Sequence, residues 1–195
     1  MSTTTSVAEE KKQTTRFEPV DMVYIALSVA LTVICSQIEI PGSVPFTMQT
    51  FAVMLTVSLL GGLRGTFSVI IYILMGAIGV PVFAGFKGGI GALLGPTGGY
   101  IIGFLFTALI MWLLEGISKK ALWIKALSMI AGLSICYVFG TVWFMNVYVN
   151  DDGSHLGLMS VLALCVFPFI IPEIIKIALA LAISQNKALR RTLRS

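Results

Sequence analysis

Long apolar stretches separated by short polar ones dominate the pattern of this sequence. Six predominantly apolar segments can be marked, and few of their side chains carry a charge. Apolar runs without a repeating polar face are typical of helices in lipid rather than of helices in water. The sequence therefore predicts an all-α membrane protein with six transmembrane helices, at residues 20–38, 48–61, 66–80, 98–115, 122–149 and 157–185.

The second and third segments are short for transmembrane helices. At a rise of 1.5 Å per residue, about fourteen helical residues reach about 21 Å, whereas the hydrocarbon core of a bilayer is about 30 Å thick. Such helices tilt, thin the membrane locally or end at an internal cavity. The glycine-rich stretch after the third segment favours the last of these three options, helices that end at an internal cavity.

This stretch, PVFAGFKGGIGALLGPTGGY (Pro81–Tyr100), contains seven glycines between two apolar segments. Glycine exposes backbone N–H groups and permits close approach of the backbone. Irregular backbone at membrane depth is tolerated only where protein buries it or where it lines a cavity. We expect a substrate pocket here, and a flexible surface loop is the alternative.

Composition and charge agree with a multi-pass membrane protein. The chain is 57% apolar and 11% charged, with a mean hydropathy of +0.96. Eleven of its thirteen basic residues lie in the first nineteen residues, the second and fourth loops and the C-terminal tail. By the positive-inside rule, both termini are then cytoplasmic. The net charge of +4 reflects this topology and attraction to membrane lipid, and nucleic-acid binding has no support.

The domain organisation that follows is simple. Residues 1–19 form a polar cytoplasmic tail, residues 20–185 form one helical membrane domain, and residues 186–195 form a basic cytoplasmic tail. The N-terminal tail lacks the apolar core of a signal peptide.

The strongest local signal for a binding site is a charged pair inside the sixth segment. Glu173 and Lys176 stand three residues apart and therefore share one helix face. Charged side chains in a membrane span are costly and usually face the interior of the bundle. A structural ion pair is the alternative. Pro168 and Pro172 precede the pair and predict a kink or break that frees backbone carbonyls near it.

Other candidates carry weaker signals. Trp143 and Asn146 can share a face of the fifth segment and offer an apolar wall and an amide, although Trp143 is equally typical of a headgroup anchor. The first loop, Ile38–Gln49, is either a lid over the pocket or only a turn. Ala26 and Ala30 are small residues four apart, a spacing that lets another helix approach closely in lipid, and packing within the protein is the default interpretation of such a pair.

The sequence lacks the common motifs of nucleotide-binding and hydrolytic enzymes. The sequence contains no phosphate-binding Gly-x-x-x-x-Gly-Lys-Ser/Thr, no His-Glu-x-x-His and no Gly-x-Ser-x-Gly. The three cysteines lie in apolar segments and are interpreted as buried hydrophobes. His155, beside Asp151 and Asp152, is interpreted as part of a solvated turn rather than as a cation site. The sequence thus predicts no enzyme, no metal site and no cofactor.

Three stretches then carry a resemblance to a known family. They are PFTMQTFAV (Pro45–Val53), GAIGVPVFAGFKGGIGALLGPTGGYIIGF (Gly76–Phe104) and PFIIPEIIK (Pro168–Lys176). In this order and spacing they resemble the BioY family, the biotin-specific S components of energy-coupling-factor transporters. The resemblance covers residues 20 to 185. One departure is Pro172-Glu173, where the family tends to have Gly-Asp.

The resemblance implies an S-component fold of six helices in the plasma membrane of a prokaryote, with high-affinity binding of biotin from outside. Its partners would be a transmembrane coupling protein and two ATP-binding subunits, supplied as separate chains. Ala26 and Ala30 would then form the surface that docks on the coupling protein. The alternatives are a self-sufficient secondary vitamin transporter with Glu173 as its proton carrier and, less favoured, an intramembrane enzyme.

Biotin carries a ureido ring, an apolar sulfur ring and a flexible acid tail. Its pocket needs a hydrogen-bond acceptor, donors, an apolar wall and a group that receives a carboxylate. Either Lys176 or backbone N–H groups near Gly88–Gly91 and Thr97–Tyr100 could receive the carboxylate. The candidate ligand-binding residues are Gln49, Phe83, Gly89, Gly91, Thr97, Tyr100, Trp143, Asn146, Glu173 and Lys176.

Overall fold

The computed structural model describes residues 18–42, 44–118, 121–149, 153 and 155–186. Within these residues the chain folds into α-helices joined by short loops and one small hairpin of β1 (Glu39–Ile40) with β2 (Phe46–Thr47). Two single turns of 3-10 helix span Ala84–Phe86 and Phe167–Phe169. The α-helices are α1 (Pro19–Gln37), α2 (Gln49–Leu60), α3 (Gly62–Ala77), α4 (Ile90–Leu94), α5 (Gly98–Leu113), α6 (Glu115–Ser118), α7 (Leu122–Val147), α8 (Leu158–Cys165) and α9 (Ile170–Ser184).

Each of the six predicted segments contains helix, which confirms the helical prediction. Three apolar runs are long enough to cross a membrane, namely α1, α7 and the run Leu158–Ser184, whereas α2, α3 and α5 are shorter apolar helices. The number of crossings and the side on which the termini lie stay predictions. The predicted tails fall almost wholly outside the described residues, as do Asp151 and Asp152.

The helix α3 begins at Gly62, four residues before the predicted start of the third segment. A carboxylate from elsewhere in the chain explains the difference, because Glu115 accepts a hydrogen bond from the Gly62 N–H at 2.8 Å. The first N–H groups of a helix have no partner within the helix, so this contact stabilises the early start. The pattern around Gly62 cannot reveal a cap that lies 53 residues away.

The core lies among α2, α3, α5 and α7, and α5 and α7 form the most extensive helix contact in the described chain. Their backbones approach closely at Gly103, where an added Cβ would lie 2.7 Å from the Cys136 sulfur. Small residues at a crossing permit this packing in lipid. All three cysteines are buried and unbridged, as predicted for small hydrophobes.

The sixth segment is broken, as its prolines predicted. The helix α8 ends at Cys165, Val166 leaves the helical region, and Pro168 lies in the 3-10 turn before α9. Pro172 stands in the first turn of α9, where an N–H would have no helical acceptor, so it is accommodated without a further break. The break directs the first turns of α9, with Glu173 and Lys176, toward the interior of the bundle.

At the end of the bundle where α1 begins and α2 ends, three polar contacts join neighbouring helices. Asp21 of α1 forms an ion pair with Arg64 of α3 at 2.8 Å. Glu115 caps α3 as described above. Lys125 of α7 donates hydrogen bonds to the Ser58 carbonyl of α2 at 3.2 Å and to the Ser184 hydroxyl of α9 at 3.1 Å. We refer to these three contacts as the base ties.

Candidate functional site

A cavity of about 270 Å³ lies at the opposite end of the bundle from the base ties. Its walls come from the hairpin loop (residues 38–48), the glycine-rich loop (residues 81–97) and the helices α2, α5, α7 and α9. The structure brings together in this cavity six of the predicted ligand-binding residues, which are Gln49, Phe83, Gly91, Thr97, Tyr100 and Glu173. The hairpin loop contributes Val44–Thr47 to the wall, which is the position of a lid rather than of a remote turn.

Glu173 is the acidic group of the cavity, and it is held from three sides. Its carboxylate accepts hydrogen bonds from Thr50 Oγ1 at 2.9 and 3.0 Å and from Tyr137 OH at 3.2 Å. Lys176 Nζ lies 2.7 Å from Oε1. With 5% of its surface exposed, the residue would be costly to bury without these partners. The arrangement fixes a carboxylate in the cavity wall, where it can accept hydrogen bonds from a ligand.

Lys176 lies behind this wall and is not among the residues that line the cavity. Its ammonium group donates to the Thr47 carbonyl at 2.6 Å, to Thr50 Oγ1 at 3.1 Å and to Glu173. An ammonium has three N–H donors, and these contacts use all of them. Its charge also faces the Phe46 ring, 4.1 Å from the centroid. In this structure Lys176 therefore binds Glu173 and the hairpin loop.

The glycine-rich loop is anchored by the end of α1. Ser36 Oγ donates to the Val82 carbonyl at 2.7 Å, and Gln37 Nε2 donates to the Phe83 carbonyl at 3.1 Å. The Phe86 N–H in turn donates to Gln37 Oε1 at 3.1 Å. These contacts join the stretch to α1 and hold Phe83 against the cavity, and the predicted role of the stretch in a substrate pocket stays a prediction.

The three candidate glycines differ in what surrounds them. Gly91 lines the cavity, and an added Cβ there would meet no protein atom within 4 Å. Gly89 has a φ of +90°, which favours glycine, and precedes α4. Gly98 begins α5, where an added Cβ would collide with the Leu93 carbonyl. The sequence did not predict the short helix α4, whose five residues lie within the glycine-rich loop.

The two candidates from α7 do not line the cavity. Trp143 lies behind the glycine-rich loop, where its ring packs on Gly99 and its indole N–H donates to the Gly95 carbonyl at 3.0 Å. Asn146 is exposed and donates to the Val142 carbonyl of its own helix at 2.7 Å. Trp143 thus supports the loop that forms the wall, and Asn146 is separate from the cavity.

Thr50, Lys87 and Tyr137 are among the lining residues that the sequence candidates did not include. Lys87 is exposed, and with Glu173 it makes up the charged residues of the cavity lining. The distribution of basic residues could have identified Lys87, because the positive-inside pattern assigns this lysine to an outer loop. The tyrosine and threonine are polar groups in apolar helices, and the sequence does not reveal which way they face.

Ala26 and Ala30 lie on a different surface. Both are exposed on α1 and form part of an apolar groove of about 800 Å³ between α1 and α3. Large side chains such as Met22 and Phe67 flank the groove. Because the side chains of Ala26 and Ala30 are small, the groove remains open at these positions, and it is separate from the cavity.

Comparison with known proteins gives a consistent result. The model of the BioY family matches residues 9–194. A probable biotin transporter BioY of Pyrococcus horikoshii is 40% identical over 163 residues, which cover 83% of this chain and 92% of that protein. A biotin transporter BioY of Thermotoga maritima is 40% identical over 164 residues, which cover 84% and 92% of the two chains.

A solved structure agrees with these sequence matches. A crystal structure at 2.1 Å of the S-component for biotin from an ECF-type ABC transporter superposes with a TM-score of 0.75 and 26% identity, covering 90% of this chain and 91% of that chain. The chain belongs to the BioY family.

Proposed function

We propose that this chain is the biotin-binding S component of an energy-coupling-factor importer, which captures biotin in the cavity and delivers it through separate ATP-driven partners. The proposal is supported by membership of the BioY family, by relatives named biotin transporters and by the likeness to a biotin S-component. The observation that carries it is a small cavity with one buried carboxylate, an aromatic wall and one exposed lysine. The carboxylate suits the ureido ring of biotin, the aromatic wall suits the sulfur ring, and the lysine suits the acid tail.

The two charges of the cavity favour one orientation of the ligand. The acid tail of biotin is anionic at neutral pH and only accepts hydrogen bonds, and so does the Glu173 carboxylate, whose neighbouring donors Thr50, Tyr137 and Lys176 already point at it. The ureido N–H groups are donors and suit a carboxylate acceptor. We infer that the ureido ring binds near Glu173 and Tyr137, that Phe83 and Tyr100 cover the sulfur ring, and that the acid tail reaches Lys87.

In this arrangement Lys176 acts through Glu173. It places a positive charge 2.7 Å from the Glu173 carboxylate in the wall, and it donates a hydrogen bond to the Thr47 carbonyl of the hairpin loop. Gln49, Gly91 and Thr97 complete the lining, whereas Gly89 and Trp143 shape the loop behind it. For Asn146, which is exposed on α7, we propose no contact with the ligand.

The cellular arrangement is also a proposal. Six crossings with both termini in the cytoplasm follow from the apolar segments and the positive-inside pattern. The membrane is then the plasma membrane of a prokaryote, and lipid surrounds the bundle. Transport requires a transmembrane coupling protein and two ATP-binding subunits. The groove with Ala26 and Ala30 is where the coupling protein would dock, since small residues admit a close helix.

Purification of this chain alone, followed by titration with biotin, thiamine and riboflavin, tests the proposed function. We expect tight binding of biotin and none of the other two vitamins at the same concentrations. Equal binding of all three, or of none, would contradict the assignment. Uptake against a gradient in vesicles that lack the ATP-binding subunits would favour the secondary transporter instead.

A further inference from the structure

A buried polar pair joins two separate loops by hydrogen bonds, with Gln49 in the cavity lining and Tyr72 behind it. Tyr72 belongs to α3, has 0% of its surface exposed and is absent from the cavity lining. Gln49 begins α2 and presents its amide to the same interior region. No ligand contact proposed above explains a tyrosine hydroxyl at this position.

The pair forms a relay with defined donors and acceptors. Gln49 Nε2 donates to Tyr72 OH, and the hydroxyl donates in turn to the Val82 carbonyl at 3.1 Å. On the other side, Thr47 Oγ1 donates to Gln49 Oε1 at 2.9 Å. The relay therefore links Thr47 of the hairpin loop to Val82 of the glycine-rich loop through two buried side chains.

Both ends of the relay adjoin aromatic residues of the cavity wall. Thr47 follows Phe46, and Val82 precedes Phe83, and both rings line the cavity. The Tyr72 ring itself packs edge-on against Phe83, with centroids 5.6 Å apart. A displacement of either loop away from the cavity therefore strains or breaks a buried hydrogen bond of the relay. An unpaired buried polar group is unfavourable, and linked hydrogen bonds strengthen one another.

We infer that Gln49 and Tyr72 hold the hairpin loop and the glycine-rich loop as one closing unit, which slows release of the bound ligand. Tyr72 is a positioning residue, since it acts on the loops without touching the ligand. The inference rests on the proposed function. It predicts that opening requires both loops to move together, because neither loop can leave alone without breaking the relay.

The test measures how fast labelled biotin leaves the purified chain after a chase with excess unlabelled biotin. Tyr72→Phe keeps the ring and removes the hydroxyl, so Gln49 Nε2 loses this acceptor, whereas the Val82 carbonyl keeps its hydrogen bond from Ser36 and the link between the two loops is cut. We expect release about tenfold faster, as for the loss of one buried hydrogen-bonded group, with an association rate changed by less than about twofold. An unchanged release rate would overturn the inference.

Thr107→Val is the matched control. Thr107 is buried between α5 and α7, away from the cavity lining, and its hydroxyl donates to the Gly103 and Gly132 carbonyls. The variant also removes one buried hydroxyl, so its melting temperature should fall, yet its release rate should equal that of the parent. Equal acceleration in both variants would mean general loosening of the fold and would overturn the inference. A parent chain that binds no biotin would instead contradict the proposed function.

A measurement on the unmodified chain tests the coupling without any substitution. Saturating biotin should slow deuterium uptake at the hairpin loop and at the glycine-rich loop by similar factors, since the two close together. Protection confined to one of the two loops would overturn the inference, whatever the behaviour of Tyr72→Phe.

Discussion

At the cavity, the polar contacts run through shared residues and form a connected network, whereas at the base of the bundle the contacts described as base ties have no residue in common. Each base tie joins its own set of helices, and no residue named in one of them recurs in another. Around the cavity, Thr47 and Thr50 both contact Lys176, Lys176 contacts Glu173, and Thr47 also continues into the Gln49–Tyr72 relay. Loss of one cavity contact should therefore disturb the other contacts that share its residues.

Two lysines make this difference concrete. Lys125 and Lys176 each donate to one backbone carbonyl and one hydroxyl of neighbouring elements. Lys176 alone of the two is shown paired with a carboxylate of the cavity wall. One lysine, Lys125, thus joins helices at one end of the molecule, and another, Lys176, organises the proposed binding site at the other end. The predictions below use this contrast, in order of their expected effect on biotin affinity.

The largest effect is expected from Lys176→Ala. The substitution leaves Glu173 buried without its counter-charge and releases the Thr47 carbonyl. Loss of one partner of a buried charge pair costs about 2–5 kcal/mol of folding free energy. Because the unpaired carboxylate and the released loop no longer keep their positions in the wall, we expect biotin to bind about 30-fold more weakly or worse. Isothermal titration on the detergent-solubilised chain measures it. Lys125→Ala is the control and should lower the melting temperature with the dissociation constant unchanged. An unaltered dissociation constant in Lys176→Ala would remove Lys176 from the site.

Valine substitutions in the glycine-rich loop should have the next largest effect and should separate affinity from stability. Gly91→Val adds bulk at a lining position where an added Cβ has no protein atom within 4 Å, so affinity should fall about tenfold or more with little change in melting temperature. Gly98→Val collides with the Leu93 carbonyl and should lower both the affinity for biotin and the melting temperature. Gly89→Val is strained by its positive φ and should mainly destabilise. If all three variants bind like the parent, the loop is only a connector.

A smaller effect is expected from Lys87→Ala. The exposed lysine should stabilise the acid tail by about 1 kcal/mol, so its loss should weaken binding about fivefold. Lys87→Arg should retain the affinity because it keeps the charge. Binding of an analogue with an amide in place of the acid should be the same in the parent and in Lys87→Ala. A matching loss for the amide analogue would show that Lys87 acts on the loop and not on the carboxylate.

The smallest effect on affinity is expected for the double substitution of Ala26 and Ala30 by tryptophan. The groove between α1 and α3 is separate from the cavity, so the isolated chain should bind biotin within about twofold of the parent. Bulk in the groove prevents close approach of a helix. Biotin uptake driven by ATP and co-purification with the coupling complex should therefore be abolished. Loss of binding by the isolated variant would indicate that the pair packs internally.

Much of this arrangement follows from local features of the sequence. The apolar segments predict the helices, Pro168 predicts the break before α9, and the spacing of Glu173 and Lys176 predicts a pair that faces inward. Each of these signals involves residues within one helix or one turn. The glycine content likewise predicts the ordered loop beside the cavity, because close approach and a positive φ are local requirements.

The remaining features depend on contacts between distant parts of the chain. Lys176 donates to the Thr47 carbonyl 129 residues away, and no pattern around Lys176 indicates that its third donor is used. The Glu115 cap that starts α3 early is equally remote. Trp143 offers the same apolar surface whether it lies in a cavity wall or behind one. The direction of Tyr137 toward Glu173 depends on how α7 packs against α9.

The ion pair between Glu173 and Lys176 affects how much charge crosses the membrane with each ligand. One negative and one positive charge lie 2.7 Å apart, so the inner wall of the site is electrically neutral as a unit. Under the proposed function, the charge that enters the cytoplasm with each biotin is then the vitamin's own. Moving an anion toward an inside-negative compartment costs about 2.3 kcal/mol per 100 mV. The membrane voltage therefore opposes uptake, and hydrolysis of ATP by the partner subunits has to supply that work.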